Sequence, residues 1–270
     1  MSDEALEAFK LLERTGWGKR AETYDLLTGR ITARLVDPLL DAAAVRAGAR
    51  VLDVGTGPGH AAAAAARRGA VATGVDIADE LLAVARRRHP ESSFLGADAE
   101  ELPFDDDSFD ALVANFAINH LPRPERAVRE FARVLAPRGG IALSAWDRPE
   151  RNRFLGVLVD ALREYSVGGP PGPDQYRFAD DEEFHALLSD AGCESVEVLT
   201  IGFTHAAADP EELWRGLMGG SVRTAGLVAE QPAAARSATR AAFGRNAEAH
   251  LGDAGLELPV SAKIARGRMP

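Results

Sequence analysis

The residues best suited to chemistry lie in Val51-Leu-Asp-Val-Gly-Thr-Gly-Pro-Gly-His60. An apolar run ending at Val54 carries one acid, Asp53, and is followed by glycines at alternate positions, Gly55, Gly57 and Gly59. An alanine run then occupies 61–66. This pattern predicts a buried strand, a tight loop and a closely packed helix, the place where an α/β sheet receives a nucleotide-like ligand. Glycine suits the loop because it accepts left-handed backbone angles and lets the backbone approach a ligand. A dinucleotide loop is spaced G-x-G-x-x-G and turns a helix N-terminus toward pyrophosphate. Here the spacing is G-x-G-x-G, and a carboxylate two residues ahead of it suits an ammonium-bearing ligand better than a phosphate.

Further acids follow at the ends of apolar runs. Asp76 closes the run from Ala70 and lies 21 residues after Gly55. That separation suits a carboxylate accepting hydrogen bonds from ribose hydroxyls, which fits NAD as well as any other nucleoside. Ile77 comes next and could pack on a base. Asp98 closes a third run from Ser93, and a fourth, from Ala111, leads into Asn115-Phe-Ala-Ile-Asn-His120. Beyond a helical stripe lies Arg133-Val-Leu-Ala-Pro-Arg-Gly-Gly140, ahead of a fifth strand expected over 141–146.

As a set these segments resemble the class I, Rossmann-like S-adenosylmethionine (SAM)-dependent methyltransferases, whose first motif reads D-x-G-x-G-x-G. Within that family the chain is similar to the UbiE-like "type 11" enzymes acting on small molecules. The resemblance covers about 45–203 and a strand near 256–268. It implies SAM as cofactor, held by Asp53, Gly55, Gly57, Gly59, Asp76, Ile77, Asn115 and Phe116. It also implies that Asp98 takes the adenine amino group, that the Ala99 backbone meets a ring nitrogen, and that Tyr24 covers the methionine end. An aromatic face near a sulfonium is also sound as a cation–π contact. Two alternatives stay open: an NAD-dependent oxidoreductase, which has no use for Asp98, and a SAM-binding cyclase or regulator that transfers no methyl.

Transfer from a sulfonium is an in-line displacement, so the protein chiefly positions and desolvates, with a base where the acceptor is a hydroxyl or acidic C–H. Of six histidines, His120 is the best placed to be that base or to position the acceptor. A hydrogen bond that merely holds its loop is an equal reading. The magnesium set of catechol-type enzymes is missing after the fourth strand, so no metal is expected. Asn115-Phe-Ala-Ile118 also departs from the [D/N]-P-P-[Y/F] of nucleic-acid amino methylases. A net charge of −10 argues against a broad nucleic-acid surface, and the single cysteine, Cys193, permits no internal disulfide. With no apolar run of ~18 residues and an acidic start, Met1-Ser-Asp-Glu, the expectation is a cytoplasmic enzyme, monomeric or homodimeric, taking a small molecule of secondary metabolism.

The elements that must hold these residues form a doubly wound α/β sheet of seven strands, mostly parallel. Leu256, Leu258, Val260, Ala262 and Ile264 alternate with a period of two and predict an antiparallel last strand. The expected organisation is an N-terminal helical lid over 1–44 and a SAM-binding domain over 45–204 and 255–270. A helical cap is expected over 205–254, with 151–178 as further lid. Phe154, Tyr165, Tyr176, Phe178, Phe203, Trp214, Met218 and Phe243 are expected either to line an apolar acceptor cavity or to form the lid's own core.

Overall fold

The structure, a computed structural model, describes residues 1–165, 168–169 and 171–270; positions 166, 167 and 170 of the expected lid segment lie outside the described residues. Eight strands follow in chain order: β1 Arg50–Val54, β2 Val71–Asp76, β3 Ser93–Gly96, β4 Phe109–Ala114, β5 Leu135–Trp146, β6 Glu194–Ala207, β7 Leu251–Gly252 and β8 Gly255–Arg268. They make one sheet in the order β3-β2-β1-β4-β5-β8-β6, with the two-residue β7 folded back on β8. β1 to β5 pair in parallel, while β8 runs antiparallel to both β5 and β6. The expected seven-stranded sheet with an antiparallel last strand is therefore present, with β7 as a small addition.

The helices are α1 Asp3–Gly18, α2 Thr28–Thr32, α3 Val36–Ala42, α4 His60–Arg67, α5 Asp79–Arg88, α6 Pro124–Val134, α7 Arg153–Glu164, α8 Asp181–Ser189, α9 Pro210–Gly220, α10 Arg223–Glu230 and α11 Ala233–Glu248. One core places α3, α4, α7 and α11 on one face of the sheet, through Leu39, Ala62, Phe154 and Phe243. A second core places α6 and α8 on the other, through Phe131, Val134, Phe184 and Leu188. Central strands are buried on both faces, as parallel strands covered by helices must be, and β1 is buried from Val51 to Val54. Ala61 to Ala65 are all buried, and their small side chains let α4 lie close to the sheet.

Three boundaries differ from the sequence expectation. β5 begins at Leu135 rather than 141, because Leu135 already pairs with Phe109 before the register shifts and resumes at Ala111↔Gly140. Gly140 lies where a Cβ would come within 2.3 Å of the Ala43 carbonyl, so the glycine lets the shifted strand pass α3. β6 runs to Ala207 instead of stopping near Phe203, since its pairing with β8 continues to Ala207↔Leu256. The helical insertion therefore starts at Pro210, capped by Asp209, whose side chain accepts from Glu212 N at 2.7 Å.

Candidate active site

A cavity opens outside the carboxyl ends of β1, β2 and β4, where α/β sheets receive ligands. Its floor is the loop after β1. Gly55, Gly57 and Gly59 all take left-handed backbone angles, with φ of 66°, 54° and 88°. A Cβ on Gly55 would lie 2.4 Å from that of Ala117, so glycine here clears the loop after β4. A Cβ on Gly57 would meet nothing within 4 Å, so only the backbone angle demands glycine there. Gly59 does not line the cavity: it caps α4, with Phe94 and His89 packed against it.

Asp53 also lies off the cavity wall. Side chains alternate across a strand, and Asp53 is buried under the loop, facing the start of α4. Its Oδ2 accepts from Thr56 Oγ1 at 2.7 Å and from Ala62 N at 2.9 Å, while Oδ1 has no partner. Burial pushes this carboxyl up to about 6, against the hydrogen bonds that favour its charge. The expected direct meeting of Asp53 with a ligand ammonium is replaced by a brace between the glycine loop and α4.

Asp76 does reach the cavity. Its Oδ2 accepts from Gly57 N at 2.8 Å and its Oδ1 from Ala78 N at 2.9 Å, and burial raises its carboxyl above the ordinary range. Each oxygen keeps capacity for a second donor. Ile77, Asp98 and Ala99 continue the same wall. Asp98 is already engaged, because Lys10 donates to its Oδ2 at 2.7 Å and Glu100 N to its Oδ1 at 2.9 Å.

The opposite end is built from β4, β5 and the N-terminal segment. Asn115 donates to the Thr32 carbonyl at 3.1 Å and accepts from Ser144 Oγ at 2.8 Å; that hydroxyl in turn accepts from Phe116 N. These bonds hold Phe116 at a φ of 58°, which is rare for an aromatic residue, and its ring stacks on Trp146 at 3.8 Å. Tyr24 shares a hydrogen bond with Thr32 Oγ1 at 3.0 Å, and burial pushes its phenol up to about 12. His120 lies beside the Trp17 ring, edge-on at 5.1 Å, with its Nδ1 3.1 Å from Glu13 Oε2.

Of the residues singled out in sequence, Tyr24, Gly55, Gly57, Asp76, Ile77, Asp98, Ala99, Asn115, Phe116 and His120 share this cavity, with Trp146. Lys10, Glu13, Thr28 and Thr32 also line it and were missed. One signal for Glu13 was present: Phe9, Glu13 and Trp17 are spaced by four, so a charge interrupts the apolar stripe of α1. The lid aromatics do not reach the cavity. Phe154, Phe178 and Phe243 are buried in the two cores, Trp214 packs edge-on against Phe243 at 5.1 Å, and Tyr165 is 39% exposed.

Residues 52–143 match the profile of a methyltransferase domain. The chain is 29% identical over 204 residues to the demethylmenaquinone methyltransferase of Paenarthrobacter aurescens, covering 70% of this chain and 81% of that one. It is 38% identical over 170 residues to the Chlorobaculum tepidum protein of the same name, covering 57% and 69%. The YcgJ protein of Bacillus subtilis has the same fold, with a TM-score of 0.59 at 23% identity over 87% of this chain and 98% of that one. With a glycine loop after β1 and a β3-β2-β1-β4-β5-β8-β6 sheet, the chain belongs to the class I SAM-dependent methyltransferases. Within that class it is a UbiE-like enzyme, and its cofactor is SAM.

Proposed function

We propose that the protein methylates a small molecule without a metal, in the cavity between the sheet and α1. One observation carries this reading. A single cavity joins the acids Asp76 and Asp98 at one end to Asn115, Phe116, His120 and Trp146 at the other. The residues fit SAM by their own chemistry. Asp76 has acceptor capacity left for ribose hydroxyls, Gly57 leaves open space above the loop, and the Tyr24 ring offers an aromatic face. Ile77, Ala99 and Asp98 would hold the adenine, and Asn115 and Phe116 the methionine end. Asp53 and Gly59 would act from behind the wall, by shaping the loop. Bound SAM supplies an electrophilic methyl group on a sulfonium. The chain supplies position, exclusion of water and, at His120, a base.

α1 and residues 24–32 act as the lid, since they close the cavity on the side away from the sheet. The insertion over α9 to α11 supports them: Thr23 Oγ1 donates to the Gly219 carbonyl at 2.7 Å. Phe116, Trp146 and Trp17 offer flat apolar walls, which suits an aromatic acceptor. Demethylmenaquinone, named for two relatives, is therefore the first acceptor to try.

Calorimetry with S-adenosylhomocysteine and with NAD tests the cofactor site, and release of S-adenosylhomocysteine on turnover tests transfer. Binding of S-adenosylhomocysteine alone, and its stoichiometric formation with a small acceptor, is the expected result. Binding of NAD alone, or methylation of nucleic acid but of no small molecule, would overturn the proposal.

A further inference from the structure

Three residues far apart in sequence meet beside the cavity: Glu13 of α1, His120 after β4 and Arg223 at the start of α10. We infer that Glu13 is the positioning residue for His120, fixing the imidazole proton on Nδ1 and leaving Nε2 as the lone pair that takes the acceptor's proton. The inference rests on the reading of His120 as the base.

Glu13 and Arg223 are each 3% exposed, an expensive place for a charge without a partner. Glu13 Oε2 lies 3.1 Å from His120 Nδ1, while Glu13 Oε1 makes no hydrogen bond and lies 4.0 Å from Arg223 Nε, an ion-pair distance. The guanidinium is permanently charged and is held in place by the carbonyls of Pro171, Pro173 and Asn119. It therefore places a buried positive charge beside the Glu13 carboxyl group. A carboxylate only accepts hydrogen bonds, so the group it faces must donate, and Nδ1 carries the proton. Nε2 makes no hydrogen bond among the described residues. Trp17 stands edge-on to the ring at an interplanar angle of 87°, which holds its rotation.

The step balances. A lone pair of the acceptor's oxygen or activated carbon forms the new bond to the methyl carbon, and the methyl–sulfur electron pair leaves with sulfur. The acceptor's proton passes to His120 Nε2. The products are the methylated acceptor, neutral S-adenosylhomocysteine and an imidazolium whose charge Glu13 offsets. Because α1 and α10 each bring one charged member, the base is oriented only where both are docked.

The test uses the full chain labelled with 15N-histidine and saturated with S-adenosylhomocysteine, near pH 8, where an ordinary histidine is neutral. Long-range 1H–15N spectra report the tautomer, and H120Q assigns the signals. Wild type should show the Nδ1–H form, E13A, which removes the acceptor, should lose that preference, and E13D should restore part of it. E13A should bind S-adenosylhomocysteine within about threefold of wild type, while its kcat with demethylmenaquinone falls by about 10²-fold, the lower end for a lost acid–base group. An Nε2–H tautomer in wild type overturns the inference without any variant, as does a tautomer that E13A leaves unchanged. Full turnover by H120Q, with the tautomers as stated, instead overturns the reading of His120 as the base.

Discussion

Asp53 gives a quantitative handle on the glycine loop. Its carboxyl stands at about 6 in the folded chain against an ordinary 3.8, because burial opposes its charge and Asp76 lies nearby. Folding therefore favours the protonated acid. The stabilisation is fully present below the unfolded value and is lost as pH rises through about 6, since the native state binds more protons in that window. The whole span is worth roughly 3 kcal/mol, of which about 1.4 falls between about pH 5 and pH 8. Asp53→Asn keeps an oxygen for Thr56 Oγ1 and Ala62 N but does not titrate. Urea unfolding of wild type and Asp53→Asn across that range, compared as a difference of differences, isolates the effect. Wild type should lose about 1.4 kcal/mol relative to the variant as pH rises. Equal pH dependence of the two proteins, or the opposite sign, would refute the claim that burial raises this carboxyl to about 6.

Asp76→Ala should weaken S-adenosylhomocysteine binding by roughly 1–3 kcal/mol, read by calorimetry, because hydrogen bonds to a carboxylate are lost. Gly55→Ala should lower the melting temperature more than Gly57→Ala. Both incur the left-handed strain of roughly 1–2 kcal/mol, but only Gly55 meets Ala117, so adding Ala117→Gly should recover part of the loss. Phe243→Ala should cost about 3–5 kcal/mol in urea unfolding, as expected for an aromatic in a packed core rather than on a cavity wall.

The sheet was legible because its central strands are continuous apolar runs that end in acids or glycines, and β8 because its alternation is strict. The beginning of β5 was hidden behind Pro137, Gly139 and Gly140, residues that suggest a turn although the chain pairs through a shifted register. Much of the candidate cavity could be located from strand ends alone, since Asp76 ends β2, Asp98 lies two residues beyond β3 and Asn115 directly follows β4. Asp53 was misplaced because its position two residues before Gly55 says nothing of which face it takes; alternation along β1 turns it to α4. The Glu13–His120–Arg223 group could not be read from spacing, because its members meet only after α1 and α10 dock. The lid aromatics were ambiguous for a similar reason: size and apolarity suit a core as well as a cavity, and only packing separates the two.

The position of β8 between β5 and β6 also constrains the order in which the chain can be completed during synthesis. β6 is made before the helical insertion, yet among the described residues its only sheet neighbour is β8, which is made after it. Until β8 emerges, the β5 edge has no partner and β6 has nothing to pair with. A chain stopped before β8 would leave the β5 edge of the parallel half without its neighbour, while α9, α10 and α11 precede β8 in the chain. Long-range closure of this kind is slow and exposed to misassembly. Lesions in β8 should therefore reduce the yield of folded protein during synthesis by more than their effect on the stability of the finished fold.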